Sequence, residues 1–416
     1  MNIFRSILMA GVAAGLVAAA GTANAAGGNV TSGNSKVDVS LSGHVNKAFY
    51  YVDDGKHEGS YIVDNDISST RFRFKGKTNA PGDFSVGFNW EFQVVDNSTA
   101  NITQFTDNQD VGAGIGQRQA SIIFASKSLG KVTLGHGSTA GDGTYEADLS
   151  GTSIIAMASP RKLATAMEFR PTTASGTSLN TTGLAADGAT QIGDVMADPD
   201  GLGRQDRIRY DSPNIMGFVL SADIMTGGSN DIALRYSRDY GAFKVKAAGA
   251  YSNRQSVSAT EEDLLDGSLS VLLSNGLSVT LAGSAREFDP TSTGNTGATT
   301  INSAGTAVTV DGRTATSFYV KGGYKAKLLA LGETAVSLDW NQFNDQAADN
   351  QEAESWGIGL VQQLSDYGTE VYATYRNYSL DIDAGTLGTS GANGYLTSST
   401  GIEDVDIFII GSRIKF

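Results

Sequence analysis

The sequence predicts an all-β fold: a transmembrane antiparallel β-barrel of sixteen strands. Three observations carry that expectation. The last segment, Val405 to Phe416, alternates, so that Phe408, Ile410, Ile414 and Phe416 share one face of a period-2 strand with Ser412 as its small polar member. An exposed apolar strand is a liability in water because unpaired edges aggregate, whereas a closed membrane barrel must pair its last strand with its first. After the first 25 residues no run approaches the ~20 apolar residues of a spanning helix, so a membrane protein here has to be built from strands. Long, strictly two-fold alternation also recurs along the chain.

The elements follow in order. Met1 to Ala25 holds Arg5, an apolar run from Ile7 to Ala20, and Ala23-Asn24-Ala25. This is the pattern of a cleaved secretory signal, with 26–416 expected as a single barrel domain. Val37, Val39, Leu41, Gly43, Val45, Phe49 and Tyr51 then alternate with Asp38, Ser40, Ser42, His44 and Asn46. Phe72 and Phe74 fall on one face of the next strand, with Arg71, Arg73, Lys75 and Lys77 on the other. The turn Ala80-Pro81-Gly82-Asp83 leads into Phe84, Val86, Phe88, Trp90, Phe92 and Val94, interleaved with polar residues. Strands are expected near 37–52, 67–79, 83–95, 117–126, 131–137, 204–211, 217–226, 230–239, 242–253, 262–274, 277–288, 314–326, 333–344, 353–364, 368–380 and 403–416. Tight turns alternate with long connections at 53–66, 96–116, 138–203, 289–313 and 381–402, as in bacterial barrels with short periplasmic turns and long external loops. No fixed repeat supports a propeller or solenoid, and a sandwich would not need strands this long. Phe49, Tyr50, Tyr51, Trp90, Trp340 and Trp356 are read as interfacial girdle aromatics.

Composition agrees. A mean hydropathy of −0.15 fits a barrel whose outer and inner residues cancel. The chain has 51 Gly, 6 Pro and no Cys, so an exported protein must be held by something other than disulfides. Its formal charge of −14 argues against a nucleic-acid partner.

Several stretches, in sequence order, resemble the trimeric sixteen-stranded general porins of Gram-negative outer membranes. They are Ser42-Gly43-His44, Thr70-Arg71-Phe72-Arg73-Phe74-Lys75-Gly76, Ser128-Leu129-Gly130-Lys131-Val132-Thr133-Leu134-Gly135, and Arg209-Tyr210-Asp211-Ser212-Pro213 followed by Gly217-Phe218. Terminal Phe416 resembles the assembly signal read by the barrel-assembly machinery. The resemblance implies that the long connection 138–203 folds into the lumen and that its acids, Asp142, Glu146 and Asp148, face basic groups on the wall. Arg71, Arg73, Arg207 and Arg209 are the wall candidates by alternation, and Arg118 by resemblance. His44 stands where known porins carry a pore-facing lysine, and His136 where several carry an arginine. Opposed charges across a narrow wet gap orient water and dipolar solutes, and pore radius and lining charge set selectivity.

The leading functional reading is a passive channel for ions and small hydrophilic solutes, a homotrimer in outer-membrane lipid. A substrate-specific channel is kept open by the run Arg71, Arg73, Lys75, Lys77. A barrel enzyme is the other alternative, but no nucleophile pattern accompanies His44 or His136. No cofactor is expected. Asp198-Pro199-Asp200-Gly201 offers Asp198 and Asp200 as Ca²⁺ candidates, without the EF-hand pattern. With three His and no Cys, a catalytic zinc site is not expected.

Overall fold

The computed structural model describes residues 29–30, 33–78, 81–95, 97–104, 114–171, 190–255, 262–288, 299–301, 307–309, 314–347, 350–382 and 401–416. The expected signal segment and most of the connections 289–313 and 381–402 lie outside them.

Sixteen staves form one closed antiparallel sheet. They are β1 (Val37–Asp53), β2 in two pieces (Glu58–Asp64 and Arg71–Thr78), β3 (Phe84–Val95), β4 (Gly114–Ser126), β5 (Gly130–Ser138), β6 (Arg204–Asp211), β7 (Phe218–Met225) and β8 (Asn230–Asp239). The second half runs β9 (Phe243–Arg254), β10 (Glu262–Leu273), β11 (Leu277–Phe288), β12 (Thr314–Leu329), β13 (Gly332–Asn344), β14 (Gln351–Leu364), β15 (Thr369–Ile382) and β16 (Val405–Lys415). Each stave pairs with the next in sequence, and β16 returns to β1 with Ile409 opposite Tyr50. Closure continues to the last residue, where Phe416 N–H donates to Gly43 O at 3.0 Å and Gly43 N–H to Phe416 O at 2.8 Å. Below that point Asn29–Val30 takes up the pairing, opposite Ser40 and Val39. Pairing thus extends along most of β1, as a lipid environment requires.

Short turns fix the register at one rim. Gly276 sits between β10 and β11 at φ +92°, a conformation that side chains rarely adopt, and a Cβ there would strike the Lys325 carbonyl. The expected strands match the observed ones within about four residues, with one exception. The stretch 53–66, expected as a long loop, is a tight hairpin at 54–57 followed by a strand. That strand breaks at Asn65, whose side chain accepts from Ile67 N–H and caps a short 3₁₀ turn, Asp66–Ser68. The ladder resumes at Arg71. The alternation of Gly59-Ser60-Tyr61-Ile62-Val63 is too brief to announce a strand, which is why periodicity missed it.

Faces are set by the pleat. Phe72 pairs with Phe92 and Phe74 with Trp90 on the outer face, the first two rings stacked and the second two tilted. Arg71 and Arg73 pair with Gln93 and Glu91 on the inner face. Outward apolar side chains such as Ile208, Leu338 and Ile358 stay more than half exposed, as lipid-facing groups do.

The inner face departs from the simple polar expectation over β13 to β16 and β1. Tyr50, Val52, Phe343, Tyr372, Tyr378, Val405, Ile407 and Ile409 point inward and are buried against Ile154, Ile155, Leu163, Met167, Phe169, Ile192, Val195 and Met196. Tyr50, expected in a girdle, belongs to this core and is fully buried. The sequence sign is Ile407-Phe408-Ile409-Ile410, apolar on both faces: one side meets lipid and the other meets chain. Each such aliphatic residue contributes about 1.5–3 kcal/mol when withdrawn from water. Gly359 makes the seat flat, since a Cβ there would lie 2.7 Å from Ile155 Cδ1.

The register gives a direct test. Phe72→Arg is expected to cost about 2–4 kcal/mol of barrel stability, and Arg71→Ser to leave folding intact. Urea unfolding in lipid vesicles checks both, and swapped outcomes would put this stave off by one residue.

Candidate functional site

Two charged assemblies occupy the inner face, and the long connection joins them. The first is built on β2, β3 and β4. Glu91, 1% exposed, receives Arg73 Nε at 2.5 Å and Arg118 Nε at 2.9 Å, with Arg71 Nη1 at 3.8 Å. Arg118 also donates to Gln93 Oε1 at 2.6 Å. Plain alternation along β4 would turn Arg118 outward. A bulge prevents this: Glu91 pairs with Gln119 and Phe92 with Gln117, so Arg118 is the extra residue and swings inward. Arg71, Arg73 and Arg118 are therefore brought together, and one carboxylate serves three guanidinium groups. Glu91 was legible only as an inward polar residue; its place opposite Arg73 depends on the β2–β3 register.

His44 lies beside this group. Its Nε2–H donates to Ser69 O at 2.9 Å, and Ser68 Oγ is 3.2 Å away. His136 does not join it. It pairs with Asp206 on the outer face of β5 and β6, Nδ1 to Oδ1 at 3.1 Å. An arginine-like role at the site is thereby closed to His136.

Arg207 and Arg209 point inward but serve another purpose. Arg207 Nε donates to Ser138 O at 2.9 Å, and Arg209 Nη1 donates to Thr139 O at 2.6 Å, so both hold the start of the long connection. Arg235 on β8 continues the task, donating to Ala140 O at 2.7 Å and Asp142 O at 2.9 Å. Wall carboxylates catch the backbone from the other side. Asp223 accepts from Ala140 N–H at 2.6 Å and Asp231 from Gly141 N–H at 2.9 Å.

The described parts of the connection, 138–171 and 190–203, then cross to the far staves. Ala147 N–H donates to Ser268 Oγ at 2.9 Å, and the Tyr145 hydroxyl lies 2.9 Å from Ser317 Oγ. Lys321 on β12 binds Asp148 at 2.9 Å and donates to Ala156 O at 2.8 Å. Asn65 Nδ2 donates to Ile154 O at 3.0 Å, and Tyr378 to Pro160 O at 2.8 Å. Lys321 was not nominated from sequence, where a lone lysine in Val320-Lys321-Gly322 reads as an ordinary polar position. Beneath it lies Arg376, which reaches over Gly357 to bind Asp339 at 2.6 and 2.9 Å, both side chains fully buried.

Within the connection, Lys162 binds Glu146 at 2.9 Å and Asp198 at 3.3 Å. Burial opposes its charge, but the two carboxylates prevail and raise its pKa. Asp200 accepts from Gly143 N–H at 2.9 and 2.8 Å and from Tyr145 N–H at 3.0 Å. Asp198 and Asp200 are thus engaged by donors of the chain itself, and the described residues contain no cluster of three or more acidic, His or Cys groups arranged for a metal. A cavity of about 250 Å³ remains between Tyr145, Glu146, Asp148 and Ser153 of the connection and Lys246, Lys321 and Arg413 of the wall. Among the sequence-nominated acids, Glu146 and Asp148 border it.

A closed sixteen-stave barrel, apolar outside and charged within, has the architecture of a bacterial outer-membrane channel. The family model described as Gram-negative porin matches residues 12–383, and the chain belongs to that family. It is a passive channel protein of the Gram-negative outer membrane. Among solved structures it is similar to the anion-selective porin from Comamonas acidovorans, at 14% identity and TM-score 0.56, covering 91% of this chain and 100% of that one. It is also similar to the outer-membrane channel DcaP of Acinetobacter baumannii, at 12% identity and TM-score 0.55, covering 93% and 99%. A trimer form of OmpT from Vibrio cholerae shares 12% identity at TM-score 0.52, covering 91% and 99%. These likenesses concern the fold. No curated protein matches the chain.

Glu168, in the connection, supplies a pH test. It is buried, one carboxylate oxygen has no hydrogen-bond partner, and burial lifts its pKa to about 7 against the weaker pull of Arg170. An acid whose folded pKa is raised binds its proton better folded than unfolded. Docking of this segment should therefore weaken from about pH 4.5 to about pH 7 and level off above. Protection factors of the Met167–Phe169 amides, with the base-catalysed intrinsic exchange rate divided out, should be lower at pH 8 than at pH 5, and Glu168→Gln should remove the difference.

Proposed function

We propose that the protein is a general diffusion porin whose connection 138–203 enters the barrel and narrows it. The reading assigns it ions and small hydrophilic solutes as cargo and no catalysis. What supports the inward course is the set of partners: one segment bonds to Asp223 on β7, Ser268 on β10, Lys321 on β12, Tyr378 on β15 and Asn65 beside β2. A chain outside a closed barrel could not touch the polar faces of staves on opposite sides. The narrowed passage then runs between this segment and the Arg71, Arg73, Arg118 and Glu91 group. Residues 172–189 of the connection lie outside the described residues.

The same reading makes the assembly a homotrimer. Lys47 projects from the outer face near the middle of β1 and pairs with Asp64 at 3.5 Å. A charge on a lipid-facing stave near the midplane costs about 2–4 kcal/mol, which a neighbouring copy covering this face would spare. The trimer form of OmpT accords with that. Removal of Met1–Ala25 on export, and reading of Phe416 by the barrel-assembly machinery, complete the proposal.

Since the chain has no cysteine, a single introduced thiol tests the passage cleanly. Ser153 is exposed and borders the 250 Å³ cavity. A bulky water-soluble thiol reagent on Ser153→Cys should lower single-channel conductance in planar bilayers well below that of the unlabelled channel. Unchanged conductance after complete labelling would place the segment outside the current path.

A further inference from the structure

We propose that the inner face of β2 is an anion track, running from Arg71 at mid-barrel to Lys77 at the short-turn rim. It makes the channel prefer small inorganic anions and carboxylates despite the chain's formal charge of −14. The inference rests on the channel reading above and adds the sign of its selectivity and the residues that set it.

Arg71, Arg73, Lys75 and Lys77 all face inward, opposite His44, Ser42, Ser40 and Asp38 on β1. On the β3 side they face Gln93, Glu91, Asn89 and Gly87. Alternate residues of a strand lie about 6.6–6.8 Å apart, so four cations cover about 20 Å of the tilted stave and about 15 Å of the channel axis. Compensation is concentrated at the top. Glu91 is shared by Arg71, Arg73 and Arg118, while Lys75 and Lys77 are exposed and form no ion pair among the described residues. Asp38 is the nearest acid in register to Lys77, yet the pair does not close. Ser40 and Asn89 offer hydrogen bonds without charge. From across the barrel Lys246 adds a third cation with no ion-pair partner among the described residues, bordering the cavity beneath the connection.

Elsewhere at this rim three lysines are paired with acids. Lys131 meets Asp211 at 3.1 Å, Lys244 meets Asp239 at 3.0 Å, and Lys325 meets Glu333 at 3.7 Å. The residual inner charge at the short-turn end is positive. Acids such as Asp53, Glu58, Glu403 and Asp404 sit at the opposite rim, farther off than the screening length of about 8 Å at physiological salt. At the short-turn end local charge therefore outweighs the net charge of the chain. The chemistry suits transfer of an anion along the stave: arginines hold it by paired donors and lysines by mobile point charge.

Reversal potentials across a roughly tenfold KCl gradient in planar bilayers test the proposal. The unmodified channel should favour chloride at low salt. Lys75→Gln with Lys77→Gln should lower the anion-to-cation permeability ratio by about fourfold for each charge removed. Lys127→Gln, in the turn between β4 and β5, should leave it unchanged. Cation preference in the unmodified channel, or an unmoved ratio in a conducting double variant, would overturn the anion track. Failure of the protein to conduct at all would remove the channel reading itself. Should the double variant not assemble, the unmodified channel decides through salt. Its anion preference must collapse between about 0.1 M and about 1 M, where screening tightens from about 10 to about 3 Å. A preference indifferent to salt would count against charge as its origin.

Discussion

Everything in this protein depends on the pairing of β16 with β1. In lipid, an unpaired backbone amide has no water to turn to, so a spanning sheet is stable only when its last stave meets its first. Here the join runs from Asp406 opposite Asp53 to Lys415 opposite His44, and Phe416 extends it to Gly43. Closure fixes which side chains face inward on every stave, because each cross-strand pair shares a face. Arg413 then stands opposite Glu370 in register, Lys321 opposite Asp339, and Arg73 opposite Glu91, without any choice left to the individual strand.

Given that frame, the connection after β5 is held by two kinds of force in different places. Over β6 to β8 it is tied by polar groups: arginines on its carbonyls and aspartates on its amides. Over β13 to β16 and β1 it is held by apolar burial on a wall that carries Tyr50, Val52, Ile407 and Ile409 instead of polar residues. The Asp339–Arg376 pair sits under this cover. Removing one partner of such a buried pair typically costs ~3–5 kcal/mol, so the pair binds the wall to a single arrangement. The basic group of β2 to β4 is left with one carboxylate for three arginines, which keeps positive charge on that side of the barrel.

Much of this was legible in the sequence, and the failures have physical causes. Alternation placed Phe72 outward and Arg71 and Arg73 inward because a two-fold pattern leaves no freedom once one face meets lipid. It could not place Arg118, since a bulge adds a residue and breaks the parity. It misplaced Tyr50 because an inward aromatic on a membrane barrel is unexpected unless chain covers it. It missed Glu58–Asp64 because the second stave is interrupted at Asn65, and this first half is too short to show a period. The partners of Asp148 and Glu146, namely Lys321 and Lys162, depend on how a long connection folds back, which no local pattern encodes. His136 was drawn to the site by resemblance, whereas its parity on β5 turns it outward against Asp206.

The dry inner wall that the proposed inward course of the connection would cover is reported residue by residue by β16. Single cysteines at positions 406 to 410, probed with a lipid-soluble and a water-soluble thiol reagent in assembled protein, test it directly. Ile407→Cys and Ile409→Cys are predicted to react with neither reagent, since the connection covers both. Ready labelling of positions 407 and 409 by the water-soluble reagent would show an open, wet wall and contradict the account.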